Sequence, residues 1–228
     1  MGSTPTVSTK VIYEKLIDFL FPKICVGCGI EGEVLCDACK RSLEKVSQKC
    51  PGCTKKSTKG KRHKKCENKT ELLSLKMFYS YKDEKVRKAI EKMKYGFDKS
   101  VLETLLVGKK LVTEVDWVVP VPLFWYRENW RGFNQAEIIA KLLGRELVVN
   151  CLYRKFSWKH QAQIKLVVDR QKNMQGLFEM RESFVESVKG KRILLVDDVF
   201  TTGATMGEAA KVLKIAGAKW IKGLVVAG

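Results

Sequence analysis

Hydrophobic positions change their spacing along this chain, and each change marks an element. Leu72 to Tyr81 alternates in part and predicts a strand. Val86, Ile90 and Met93 then recur at helical spacing, as do Val101, Leu102, Leu105, Leu106 and Val112. Val115 to Val121 predicts a second strand, running into Pro120-Val121-Pro122. A loop is expected next, carrying Trp125, Tyr126, Arg127, Trp130, Arg131 and Gly132-Phe133-Asn134-Gln135. Ile138, Ile139, Leu142 and Leu143 predict a helix, and Leu147 to Leu152 a third strand. Residues 153 to 178 show no clean period and read as a long basic loop. Ile193 to Val196 is a compact apolar run of the kind a fully buried strand shows. Ala209, Ala210, Val212, Leu213 and Ala216 predict a helix that stops near Gly217, and Trp220 to Val226 predicts the last strand. Alternating strands and helices predict an α/β fold with a mostly parallel sheet. Upstream, Val11, Ile12, Leu16, Ile17, Phe19 and Leu20 predict a short amphipathic helix ending before Pro22.

The most informative junction follows the Ile193–Val196 run. Two acids, Asp197 and Asp198, come at once, and then the small-residue loop Thr201-Thr202-Gly203-Ala204-Thr205 opens the next helix. Unpaired backbone N–H groups and the helix dipole at such a point favour an anion. Gly203 lets the backbone approach it closely. The carboxylates can accept hydrogen bonds from sugar hydroxyls or sit beside a hydrated Mg²⁺. A phosphate grip beside a diol grip suits a ribose 5-phosphate. An acid pair after a strand is commonly just a turn and a cap; the threonine-glycine loop behind it makes the chemical reading specific. A Walker-B reading needs a phosphate-binding Gly-Lys-Ser/Thr, and the chain has none.

The N-terminal part reads differently. Cys25 and Cys28, Cys36 and Cys39, Cys50 and Cys53, and His63 with Cys66 form four pairs, each with two residues between the ligands. Such tight turns suit tetrahedral Zn²⁺. The sequential assignment gives one site of Cys25, Cys28, Cys36 and Cys39 and another of Cys50, Cys53, His63 and Cys66; spacing alone leaves a crossed pairing open. Closed four-ligand sites are structural and fold a segment with little core of its own. Cys151 stands apart and reads as a small buried hydrophobe. Gly27-Cys28-Gly29-Ile30-Glu31-Gly32 matches a dinucleotide fingerprint, but it follows no strand and contains a ligand, so it is set aside. Two domains are expected: an N-terminal helix and double zinc ribbon over 1–70, and the α/β domain over 71–228.

Charge adds a partner. The 228 residues carry 43 Lys plus Arg against 25 Asp plus Glu, a formal net charge of +18. That favours a polyanion, nucleic acid first and an anionic membrane surface second. Between Lys40 and Thr70, twelve basic residues face only Glu44 and Glu67. The densest part holds the candidate DNA contacts Lys55, Lys56, Lys59, Lys61, Arg62, Lys64 and Lys65. A solvated charge run is the ordinary reading, yet a basic loop fixed on a metal-ordered ribbon makes a better nucleic-acid contact than a free tail. Glu14, Lys15 and Asp18 interrupt the apolar positions of 11–21, so neither a secretory leader nor a transmembrane segment is read there. CxxC pairs without a leader predict reduced thiols and metal in a cytosol.

The Asp197–Thr205 segment resembles the motif that binds phosphoribosyl pyrophosphate (PRPP) in type I phosphoribosyltransferases. With the cysteine pairs, VVPVP at 118–122, Arg131 to Gln135 and the Arg170–Asn173–Gly176–Phe178 series, the chain from about Cys25 onward resembles the ComF family of bacterial competence proteins. Two departures stand out. Gln163 and Leu166 lie one position too close to Arg170, and His63 stands where the family commonly has Cys. The resemblance implies a zinc ribbon ahead of a phosphoribosyltransferase-like domain. It also implies a role in natural transformation: handling incoming single-stranded DNA in the cytoplasm, peripherally at the inner membrane face, with DNA-uptake machinery or a helicase-like partner. By the same resemblance Asp197 and Asp198 hold the ribose hydroxyls, and Thr201, Thr202, Gly203, Ala204 and Thr205 hold the 5-phosphate. The loop after Pro122, with Arg127 and Arg131, faces the pyrophosphate bridged by Mg²⁺. Were transfer to occur, Arg170 or Lys165 would stabilise the leaving charge. Thr201 stands where 6-oxopurine transferases place an Asp, which argues against that substrate class and leaves the acceptor unnamed. A PRPP-sensing regulator of duplex DNA would need a recognition helix or dimer arm, and none is read.

Overall fold

The structure, a computed structural model, describes residues 22–109, 114–143, 151–155 and 176–228. Its strands are β1 (Leu72–Tyr79), β2 (Trp117–Pro120), β3 (Leu152–Arg154), β4 (Phe178–Met180), β5 (Arg192–Val199) and β6 (Trp220–Ala227). Its α-helices are α1 (Asp37–Arg41), α2 (Glu84–Tyr95), α3 (Ser100–Leu106), α4 (Trp125–Arg131), α5 (Gln135–Leu142), α6 (Val185–Val188) and α7 (Ala204–Ile215).

Four strands form a wholly parallel sheet in the order β1-β6-β5-β2. Ile193 to Val196 are all buried because both faces of β5 are covered, which is why the sequence shows an unbroken apolar run. Leu194 and Val196 join Val118, Leu224 and Val226 beneath α2, α3 and α5. Ile193 and Leu195 face the other way, onto Ala209, Ala210 and Leu213 of α7. Asp83 caps α2: its side chain accepts from the N–H groups of Lys85 and Val86, and also from Glu44 N–H at 2.9 Å. Burial alone would raise the Asp83 carboxyl, but these three donors hold it below the ordinary range.

The cysteine-rich segment is fastened to the free edge of β1. The Gln48 side-chain amide donates to Met77 C=O at 2.8 Å and accepts from Met77 N–H at 3.0 Å, as a neighbouring strand would. Lys61 bridges Ser74 in antiparallel fashion, and Arg62 N–H donates to Leu73 C=O. Gly60 makes this approach possible. It sits at φ +70°, and a Cβ there would lie 1.9 Å from the Leu75 carbonyl oxygen. On the inner side Val34, Leu35, Cys25 and Cys39 join the core under α2. The boundary expected at residue 70 falls just before β1.

Some expectations change. Residues 125–131 form α4 rather than a loop. Gly132, at φ 71°, ends the helix and donates its N–H to Glu128 C=O at 2.7 Å. Its aromatic residues point outward, so it lacks the inward apolar stripe that marks a helix in sequence. The 153–178 stretch ends in β4, which pairs antiparallel with β3 in a separate two-stranded sheet. Of the strand expected over 147–152, only Leu152, the first residue of β3, lies in an element; 147–150 are outside the described residues, as are Val112 and the helix expected over 11–20.

Gly60→Ala is expected to lower stability by about 2–3 kcal/mol, since it adds a backbone clash to a left-handed φ. Gly108→Ala, also at φ +70° but with nothing within 4 Å of its Cβ, should cost only about 1 kcal/mol. Denaturant unfolding of both variants checks the difference; equal losses would mean the β1 contact is slack.

Candidate sugar-phosphate site and metal centres

Asp197 and Asp198 sit where β5 leaves the sheet, at the carboxyl ends of parallel strands, where ligands bind in such folds. Asp197 accepts from the N–H of Asp198 at 2.8 Å. Burial first, and then the Asp198 charge, push the Asp197 carboxyl up to about 7. Asp198 is buried and paired with the Lys94 ammonium of α2, at 3.0 Å from Oδ2. The loop then turns through Phe200 to Gly203, which caps α7 at φ 81°. A small cleft of about 20 Å³ lies within it, lined by Asp197, Val199, Phe200, Thr201, Thr202, Gly203, Ala204, Thr205 and Met206. A Cβ on Gly203 would meet the Phe200 ring at 2.6 Å and the Pro51 carbonyl oxygen at 3.3 Å. Pro51 lies between Cys50 and Cys53, so a cysteine knuckle backs the Gly203 turn.

β2 runs beside β5 in the sheet. Val121 N–H continues the ladder to Val196 C=O at 2.9 Å, which sets the start of the α4 segment beside Asp197. Arg131, at the end of α4, is 9% exposed and its Nε has no hydrogen-bond partner among the described residues. Burial lowers its guanidinium pKa, while the Asp198 charge opposes the shift. Gln135, 1% exposed, leaves both its side-chain N and O without partners there. Arg127 is exposed and lies over the Tyr126 ring. Arg154 of β3 lies over Phe124 at 4.1 Å, and burial brings it down to about 10 despite the pull of Asp197. Lys94, Arg154 and Gln135 were not assigned from sequence. Lys94 is 104 residues from Asp198, and only the fold brings them together. Arg170 and Lys165, the leaving-group candidates, lie outside the described residues, as does Gln163.

The cysteines gather in two groups. Cys25, Cys28, Cys36 and Cys39 form one, and Cys50, Cys53, His63 and Cys66 the other, with ligand atoms within 4.8 Å of one another. The two knuckles repeat each other. Cys25 N–H donates to Ile30 C=O and Cys50 N–H to Lys55 C=O; Gly29 and Thr54 N–H return to the Cys25 and Cys50 carbonyls. Burial and the neighbouring sulfurs push Cys39 up to about 12 and Cys66 up to about 11. Thiols crowded in this way cannot all ionise unless a cation shares their charge, and each group offers the four sulfur or nitrogen donors that would hold a structural Zn²⁺. Cys151 is buried, away from both.

Of the basic candidates, Lys55, Lys56, Lys59, Lys61, Lys64 and Lys65 are exposed. Arg62 is half-buried and donates to Thr70 C=O. None of the seven forms an ion pair among the described residues. Lys59, Lys61 and Arg62 overhang a hollow of about 900 Å³, whose other walls include Lys76, Phe78, Lys222 and Leu224.

Two outcomes follow. Asp197 ionises above its ordinary pKa, so the stability it brings is full below that pKa and is lost as pH rises through about 7. Asp197→Asn should therefore melt above the wild type at pH 8, with the margin shrinking by on the order of 1 kcal/mol, about 2–4 °C, at pH 6. A margin constant with pH would show that Asp197 ionises normally. Metal analysis should find two zinc ions per chain, and one after Cys50→Ser with Cys53→Ser; no bound zinc would overturn the metal assignment.

Comparison with known proteins agrees in kind. A phosphoribosyl transferase domain model matches residues 130–228. Competence protein F of Haemophilus influenzae is 26% identical over 210 residues, covering 87% of either chain. Competence protein ComFC of Bacillus subtilis is 26% identical over 200 residues, 79% of this chain and 78% of its own. The DNA utilization protein YhgH of Escherichia coli is 34% identical over 107 residues, 43% of each chain. A solved allosteric regulatory enzyme of purine biosynthesis aligns with 56% of this chain and 24% of its own, at 20% identity and a TM-score of 0.36. Among the described residues no helix is long and apolar enough to cross a membrane. With two competence proteins matched along most of their length and a phosphoribosyl transferase domain model matched over its C-terminal residues, the chain is similar to the ComF competence proteins.

Proposed function

We propose that this protein handles incoming single-stranded DNA during natural transformation and carries a domain that binds PRPP with Mg²⁺. The observation that carries the PRPP reading is Arg131. A buried guanidinium with an unpartnered Nε, beside an acid pair at the carboxyl edge of a parallel sheet, fits a ligand with both anionic and hydroxyl ends. Asp197 and Asp198 accept from the ribose hydroxyls. Thr201 to Thr205 donate to the 5-phosphate through hydroxyls and the first N–H groups of α7. Arg131 and Arg127 meet the pyrophosphate, and Mg²⁺ supplies further positive charge there when bound. Lys94, which holds Asp198, gives way as the ribose arrives. Residues 1–70 act as the zinc-ordered DNA-binding module and 71–228 as the PRPP domain. The relatives' names, competence and DNA utilization, support the biological setting. That setting is the cytoplasm, at the inner face of the membrane beside uptake machinery or a helicase-like partner.

The unpaired lysines support the DNA half. Replacing Lys55, Lys56, Lys59 and Lys61 by Ala should reduce the salt slope of single-strand binding by up to about 3, at ~0.7 per phosphate released. An unchanged slope would remove the ribbon from the interface. Asp197→Asn with Asp198→Asn should abolish the calorimetric signal of PRPP with Mg²⁺ while leaving the circular dichroism spectrum intact; retained binding would overturn the site. A second reading, a working transferase with an unknown acceptor, rests on the same pocket. It is decided by incubating labelled PRPP, Mg²⁺ and single-stranded DNA and following pyrophosphate release.

A further inference from the structure

Five aromatic side chains stand exposed on the α4 helix and the end of α2, in two touching groups, beside the acid pair. Tyr95 and Phe97, at the end of α2, are 63% and 42% exposed; Trp125, Tyr126 and Trp130 of α4 are 59%, 48% and 58% exposed. None belongs to either core cluster. The rings touch one another instead. Trp130 meets Phe97 with centroids 5.1 Å apart and Tyr95 at 6.4 Å, while Trp125 meets Tyr126 at 6.5 Å. Water-facing aromatic groupings of this size mark interaction sites. Backbone strain points the same way. Phe97 holds φ 56°, a left-handed conformation costly for a bulky residue, although Gly96 beside it takes an ordinary φ of −92°.

The charges around the rings select the partner. Arg131 lies over Tyr95 and Arg127 over Tyr126. Lys94, next to Tyr95, reaches Asp198. Glu128 is the sole carboxylate on α4. Flat rings interleaved with guanidinium groups match stacked bases joined by phosphates.

We propose that Tyr95, Phe97, Trp125, Tyr126 and Trp130 form a stacking platform for the bases of single-stranded nucleic acid, at the mouth of the acid-pair site. This rests on the single-strand reading above and extends it: the basic ribbon holds phosphates and the platform holds bases. The strand is thereby brought up to the sugar-phosphate pocket.

Fluorescence anisotropy with an oligothymidylate and an abasic strand of equal length, at fixed salt, tests this. The wild type should prefer the thymidylate at least about fivefold, the low end for stacking one base. Trp125→Ala with Trp130→Ala should lose that preference while keeping the salt slope. If wild type and variant bind both strands alike, the platform is overturned and the ribbon's DNA role stands. If the wild type binds neither strand at low salt, both ideas fall. Should the variant not fold, as judged by circular dichroism, the wild type's discrimination between the two strands decides alone. A patch that serves a protein partner instead would show no such discrimination.

Discussion

The structure depends on how the cysteine-rich segment closes the flank of the sheet. β1 is an edge strand, and one edge of it would otherwise present unpaired backbone groups to water. Gln48 satisfies the amide and carbonyl of Met77 with a side chain, Lys61 and Arg62 extend the pairing to Ser74 and Leu73, and Gly60 allows the close crossing. The segment supplying these groups has too few apolar residues to hold itself in place. Its order comes from the two ligand clusters and from Val34 and Leu35 docked under α2. The two Cys/His groups and the sheet therefore share one register, and the Pro51 carbonyl carries it to the turn at Gly203.

The acid-pair site is a balance of charges brought together from distant parts of the chain. Two carboxylates side by side cannot both ionise freely in a partly dry crevice, and Asp197 is the one that yields. Lys94 steadies Asp198, and Arg131 and Arg154 supply positive potential from β2's side and from the small β3–β4 sheet. Such an arrangement is costly to hold together and suits contact with a polar, anionic group.

Much of this was legible in the sequence, for physical reasons. β5 announced itself because both its faces are buried, and the Cys/His groups because four evenly spaced pairs can gather into two sets of four, as they do. Helix α4 was hidden because its aromatic residues face water, which removes the inward stripe that sequence reading relies on. β4 was hidden because three residues are too few to show a period, and its pairing with β3 is antiparallel within an otherwise parallel design. Lys94 and Arg154 left no trace in the sequence, since nothing local distinguishes a cation that will meet a carboxylate a hundred residues away from one that will face water.

The order of the chain gives the Gln48–Gly60 contact a further consequence for biosynthesis. Residues 48–62 leave the ribosome before β1 does, so the strand emerges with its cover already made. Its other neighbour, β6, is synthesised long after it and pairs with it across nearly the whole domain. During that wait β1 would be a template for self-association between nascent chains. The early ribbon serves as an in-built escort, guarding one flank of the strand until β6 arrives to occupy the other.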